Sequence, residues 1–354
     1  MSSNGRFATL DGMRGLAAFV VAAAHVGELI GFGLPPQAEL AVDFFFVLSG
    51  FVIAQAYETR LATSLTLVEF LKIRIIRLHP LMLLGCAISL CLLVTESILG
   101  SGPGPGAILW AVIAATLLIP FHTLPSPGAF PLDGPAWSLF AEYWVNILFA
   151  MLVPFLTTSR LRGLLVIGVA ALISLFLIAG GIGNVWQNDT IGLSILRVLF
   201  PFFAGVMLSR LYRARKIQIP RVSPVLSIAA LAAILLSPEF PLNALFQFTM
   251  IVVVFPLLVL ASTHDEMGPK QRRIMLLGGE LSYPIYTLHF PLALVFVVPV
   301  VGPVVPLDWN REALGLFLCL LCGLSYLALR YFDEPVRAWL TAQMRSRTAR
   351  SVAA

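Results

Sequence analysis

An all-α, polytopic integral membrane helical bundle of about ten transmembrane helices plus a re-entrant segment is the fold the sequence predicts. Three observations carry it. Of 354 residues, 59% are hydrophobic and 12% charged, with a mean hydropathy of +0.93, whereas a soluble domain is about half apolar and about a quarter charged. Apolar runs recur at roughly 17–25 residues, the length a helix needs to cross about 30 Å of hydrocarbon. No strict two-residue alternation appears, which argues against a membrane β-barrel, and a backbone with no hydrogen-bond partners in lipid must then be helical.

The runs lie near 14–31, 41–57, 78–99, 106–121, 137–156, 162–180, 190–211, 222–237, 243–262, 280–301 and 312–332. Loop charge decides which of them span. Lys and Arg collect around Arg60 to Arg77, at Arg160 and Arg162, from Arg210 to Arg221, from Lys270 to Arg273 and from Arg337 to Arg350. The stretches near 32–40, 96–106, 181–189 and 238–242 contain neither residue. The positive-inside rule places the first group in the cytoplasm and the second outside. The run 78–99 exits and the chain is inside again by Arg160, so only one of the next two runs crosses. Gly- and Pro-rich flanks mark 106–121 as re-entrant, within an outward hairpin near 100–136. The reading is a multi-pass protein of the bacterial inner membrane with both termini cytoplasmic, a domain over 1–340 and a short basic tail over 341–354. A cleavable signal peptide ending near His25 is disfavoured, because Asp11 sits among the charges before the apolar stretch.

Cys86, Cys91, Cys319 and Cys322 lie inside apolar runs without the histidines that would complete a zinc site, so they read as packing residues and no metal is expected. A net charge of +5 fits cytoplasmic loops and requires no nucleic-acid partner. The partners to expect include membrane lipid.

Ionisable residues inside apolar helices are costly and mark function by default. Asp11, Arg14 and His25 form the first group. Arg14 and His25 are eleven residues apart, a net rotation of about 20° and a rise of roughly 16 Å. Arg14 then sits at the cytoplasmic boundary, paired with Asp11 one turn earlier, and His25 lies in line near mid-membrane as a candidate general base. In the run Val42 to Phe51, the Ser49-Gly50 notch allows close helix approach, and packing against the first helix is expected. Arg74 and Arg77 share one side of a helix at the cytoplasmic surface, where two guanidinium groups suit phosphates or simply anchor the chain in lipid headgroups. Ser138, Glu142 and Asn146 follow at four-residue steps as a polar stripe, and Glu142 is a candidate partner for His25 or ligand for an acceptor. Ser282 reads as an N-cap with Pro284 in the first turn. Tyr286 and His289 follow on its face, and two mid-membrane histidines raise the expectation of one shared cavity.

In this order, these motifs resemble the membrane acyltransferase 3 family. The matches are Arg14 to His25, Val42 to Phe51, Arg74 with Arg77, Trp137-Ser138-Leu139 with Glu142, Ser282-Tyr283 to His289, and Glu334-Pro335 followed by Arg337. They cover nearly the whole chain. One departure is Asp333-Glu334-Pro335, where the family carries Glu-Lys-Pro; another is that no extracytoplasmic hydrolase-like domain is expected. The resemblance implies O-acyl transfer from acyl-CoA, acetyl-CoA by family habit, to a hydroxyl of a glycan, lipid-linked sugar or secondary metabolite, with no permanently bound cofactor. It implies His25, Glu142 and His289 in catalysis, the donor phosphates near Arg74, Arg77 and Arg14, and Asp11, Ser138, Ser282 and Tyr286 in substrate binding or orientation. A transporter or flippase for an envelope precursor is the alternative; the paired, interrupted half-repeats that such proteins show are not evident.

Overall fold

The computed structural model describes residues 7–31, 36–120, 128–183, 185–187, 189–215, 222–264, 266–301 and 310–353. Lys216 and Arg221, two of the predicted cytoplasmic charges, lie outside these. All named elements among the described residues are helical: α1 (Ala8–Leu29), α2 (Leu40–Thr63), α3 (Leu67–Ile98), α4 (Pro105–Leu117), α5 (Ala136–Leu152), α6 (Thr158–Ala179), α7 (Leu193–Arg213), α8 (Pro224–Leu235), α9 (Asn243–Thr249), α10 (Phe255–Ala261), α11 (Pro269–Val301), α12 (Asn310–Ala328) and α13 (Glu334–Ala353). A π-turn over Met250–Val254 joins α9 to α10 in one rod, and another over Leu329–Asp333 joins α12 to α13.

Seven of these rods are long and apolar enough to cross a membrane. Two further helices, α1 with 22 residues and α11 with 33, have the length to cross at about 1.5 Å per residue, but they carry the polar residues of the site described below. The apolar stretch 106–121 becomes the 13-residue α4, too short to span. It ends at Leu118, whose φ of 51° is the left-handed conformation that β-carbon sterics disfavour. The stretch 222–237, expected to span, contains only the 12-residue α8, about 18 Å long.

Helices extend beyond the apolar runs where their ends leave lipid. α3 begins eleven residues before the run at 78, opened by a capping box in which Thr66 Oγ1 accepts from Glu69 N and Glu69 accepts from Thr66 N. α11 likewise begins at Pro269, so Ser282 lies mid-helix rather than at an N-cap. Its hydroxyl donates to Gly279 O at 2.8 Å.

Glycine sets the closest crossings. The Ser49-Gly50 notch packs α2 against α7, not against α1. A β-carbon on Gly50 would stand 1.9 Å from Phe202 O, and one on Gly205 would stand 2.0 Å from Val47 O. Backbones therefore touch here, as small residues permit in membranes. Gly50→Val is expected to lower the thermal midpoint of the detergent-solubilised protein, with an overpacking cost of about 1–3 kcal/mol. A midpoint equal to the parent's would show the crossing has room to spare.

Beside this crossing sits a buried ion pair. Arg197 is 1% exposed and bonds both Asp43 oxygens, Nε to Oδ1 at 3.0 Å and Nη2 to Oδ2 at 2.7 Å. Its other donors reach Ile182 O at 2.6 Å and Glu39 O at 3.0 Å, and its guanidinium lies 5.1 Å from the Trp137 ring centroid. α2, α5, α7 and the segment before α7 are thereby pinned at one point.

Candidate active site

Two helices approach through glycine to build the centre. A β-carbon on Gly15 would come within 2.8 Å of the Gly278 backbone, and one on Gly279 would come within 2.5 Å of Asp11 Cβ. α1 and α11 thus lie backbone to backbone at Gly15 and Gly278. From there His25 is ten residues on and His289 eleven, so two parallel helices rising about 1.5 Å per residue carry the imidazoles to the same depth. They meet: His25 Nδ1 is 2.8 Å from His289 Nε2, with the rings within 3° of parallel.

The hydrogen-bond inventory orders this pair. His289 Nδ1 lies 2.7 Å from Tyr286 O and 3.2 Å from Ile285 O, and carbonyls only accept, so Nδ1 carries the proton. With one proton on each ring, His289 Nε2 accepts and His25 Nδ1 donates to it. His25 Nε2 then bears a free lone pair. His289 is fully buried, while His25 is half-buried. The Phe290 ring packs edge-on to His25 with centroids 6.3 Å apart.

Tyr286 extends the site toward α5. Its hydroxyl is 2.7 Å from Ser138 Oγ, which also donates to Pro135 O at 3.0 Å, and its ring packs edge-on to Phe45. Glu142, one turn beyond Ser138, does not reach His25. Its Oε1 takes Arg74 Nη2 at 2.5 Å and Ser49 Oγ at 2.9 Å, and Asn146 Nδ2 donates to its carbonyl at 2.7 Å. Ser49 has a polar task that the sequence did not suggest. The stripe along α5 is real as geometry, but its members face different partners.

Arg74 is 9% exposed and paired with Glu142, whereas Arg77 is exposed and stands outside that pair. Tyr143 and His79, unmarked in the sequence, pack beside it: Tyr143 OH lies 2.7 Å from His79 Nδ1 and bonds Arg74 O at 3.5 Å. Tyr283 OH donates to Leu78 O, tying α11 to α3. Arg14 and Asp11 stand 3.6 Å apart as an ion pair.

Arg77 is exposed and opens onto a groove between α3 and α13 lined also by Ile73, Glu334, Arg337, Thr341 and Arg345. Arg14 and Arg74 add to the positive field on it. Arg337 pairs with Asp333 at 2.7 Å, whose other oxygen has no partner among the described residues. Residues 341–353 continue α13 rather than hanging free, and Arg345 belongs to this groove because of it. Among the described residues, no group of three His, Cys, Asp or Glu is placed to hold a metal ion.

With this geometry in place, comparison with known proteins decides the class. The family profile described as an acyltransferase domain, acyltransferase 3, matches residues 7–333. The chain belongs to the acyltransferase 3 family. It is an acyltransferase, and the two histidines, the Arg74–Glu142 pair and Arg77 lie within the matched region, with Arg337 and Arg345 of the groove beyond its end. A Rhizobium radiobacter protein named protein 2 in the picA locus is similar at 38% identity over 156 residues, 41% of this chain and 81% of that one. Acyltransferase MdmB of Streptomyces mycarofaciens is similar at 28% identity over 157 residues, 41% of this chain and 39% of that protein. The chain thus spans well under half of MdmB. No solved structure matches the acyltransferase 3 chain.

Proposed function

We propose that this acyltransferase moves an acyl group, acetyl in the first instance, from acyl-CoA to a hydroxyl of a glycan, lipid-linked sugar or secondary metabolite. The observation that carries the reading is the hydrogen bond between His25 and His289. A hydroxyl is a weak nucleophile until its proton is drawn off during attack. His25 Nε2 takes that proton as the hydroxyl oxygen bonds to the thioester carbonyl carbon. The carbon–sulfur bond then breaks, and the imidazolium returns the proton to the departing thiolate, leaving an ester and free CoA. His289 positions His25 through Nδ1, as the third member of a catalytic triad orients its base.

The donor enters from the α3–α13 groove. Arg77 and Arg345, both exposed, hold its phosphates, where guanidinium groups can make paired contacts, and Arg14 and the Asp333-paired Arg337 add positive charge nearby. Arg74, Glu142 and Ser49 brace the helices between groove and histidines. In this reading the chain is a bacterial inner-membrane protein with both termini cytoplasmic, the nine long helices and the short α8 together making about ten crossings, which puts groove and tail on the side where acyl-CoA is made. A second arginine-poor face, tied by the Gly128–Gln187 bridge, receives the acceptor.

Charge reversal of Arg77 and Arg345 together is expected to raise the KM for acetyl-CoA about tenfold or more at unchanged kcat, each lost charge-assisted contact being worth about 1.5–3 kcal/mol. An unchanged KM, measured by thiol release, would make these residues lipid anchors. The acceptor is found by mass analysis of envelope glycans and secreted metabolites with and without the gene. Absence of any acyl difference from all three classes would overturn this choice of acceptor.

A further inference from the structure

Asp333 does not line the α3–α13 groove, but it holds part of the groove's wall in place. It is 2% exposed and pairs with Arg337, which does line the groove together with Arg77, Glu334 and Arg345. Glu334 is the one acid among the described residues lining the groove, and Arg330 Nη1 neutralises it at 2.5 Å. Two carboxylates thus stand side by side where α13 begins, one neutralised at the wall and one buried behind it.

The π-turn over Leu329–Asp333 sets this arrangement. One extra residue in a helical turn rotates every later side chain by about 100° relative to the turns before it, and such turns recur at functional sites. α13 packs against α3 in this setting, and Arg337, one turn beyond Asp333, meets Arg77 at the groove.

The ion pair behind the wall is half made. Arg337 Nη2 lies 2.7 Å from Asp333 Oδ2, while Arg337 Nε and Asp333 Oδ1 are buried without hydrogen-bond partners among the described residues. A buried acceptor left unpaired is costly, and a carboxylate oxygen only accepts, so Oδ1 offers a place to a second cation. Arg77 is the cation within reach of its field, for the charges of Arg77 and Asp333 attract one another. Arg14, Arg337 and Arg74 all repel Arg77. Unopposed, that repulsion drives the Arg77 guanidinium away from Arg337, and Asp333 is the acid that opposes it.

We infer that Asp333 is a positioning residue for donor binding: it offsets the repulsion between Arg337 and Arg77 and so keeps the Arg77 guanidinium at the groove, where the donor's phosphates bind. The inference rests on the acyl-CoA reading of the groove above.

Equilibrium binding of acetyl-CoA to the full-length protein in detergent tests it without an acceptor. Asp333→Asn keeps an oxygen for Arg337 but removes the charge, and should raise the Kd about three- to tenfold, within the range for coupled members of one ion-pair network. Asp333→Glu, which keeps the charge, should stay nearer the parent. Partial unfolding lowers the number of binding sites and leaves the Kd of the remainder alone, so lost stability does not mimic the effect. In Arg337→Gln the repulsion is already gone, and adding Asp333→Asn should raise the Kd no further. That pair of variants decides the matter if Asp333→Asn alone does not fold. Arg77→Gln reports on the groove itself and should weaken acetyl-CoA on its own. An unchanged or lowered Kd in Asp333→Asn, an Asp333→Glu as weak as Asp333→Asn, or a further rise on the Arg337→Gln background overturns the inference while Arg77→Gln still weakens binding. Parent-like binding by Arg77→Gln overturns the donor role of the groove as well.

Discussion

His25→Ala is expected to cut acyl transfer by about 10²–10⁴-fold, the range a positioned general base supplies, with membrane insertion unchanged. The half-buried ring packs beside Phe290 but carries none of the glycine contacts that hold α1 to α11. The partner separates catalysis from packing. His289→Ala removes the acceptor of the His25 Nδ1 proton, so His25 can turn or change tautomer, and kcat should fall while the KM for acyl-CoA stays put. His289→Gln places an amide oxygen in reach of Nδ1 and should recover part of that loss. Full activity in His25→Ala would remove the base assignment. A His289→Gln variant no better than His289→Ala would reduce His289 to a packing residue.

Arg197→Met is expected to have the largest effect on stability. Removing one partner of a buried ion pair leaves the other charged in apolar surroundings, at a cost of about 3–5 kcal/mol. Here the stranded group is Asp43, fully buried, and the Ile182 and Glu39 carbonyls lose their donors as well. The double variant Asp43→Leu with Arg197→Met should regain much of the loss, because an apolar pair of similar volume needs no compensation. Thermal unfolding in detergent reads both. A double variant as unstable as the single would mean that the backbone carbonyls, not the ion pair, need Arg197.

How far the sequence reached follows from what is local in it. Run length and composition mark helices in lipid, because hydrocarbon thickness is a property of the solvent. The same signal misjudged helix ends. α3 and α11 continue for several turns past their apolar runs, where water replaces lipid and polar residues serve, and that is why Ser282 resembled a cap yet sits mid-helix. The Asp11–Arg14 pair is a one-turn relation and could be read directly. Partnerships across the bundle could not. Glu142 reads in the sequence as a partner for His25 or a ligand for an acceptor, but Arg74, 68 positions away, holds it. Gly50 meets the Phe202 backbone of α7, and nothing in its surrounding residues says that α7 is the helix it touches. Arg197 did carry a signal, an arginine inside an apolar run, which only its distant partner Asp43 makes sense of.

The way the imidazole pair ends has a bearing on membrane energetics. Its inner ring hands its Nδ1 proton to a carbonyl of its own helix, and an amide oxygen at that position passes nothing on. Protons can shuttle onto and off His25 from one direction, but the pair is a cul-de-sac and not a wire. In the inner-membrane setting proposed above, a proton taken up at His25 therefore leaves by the way it came, and the exchange does not leak across the bilayer.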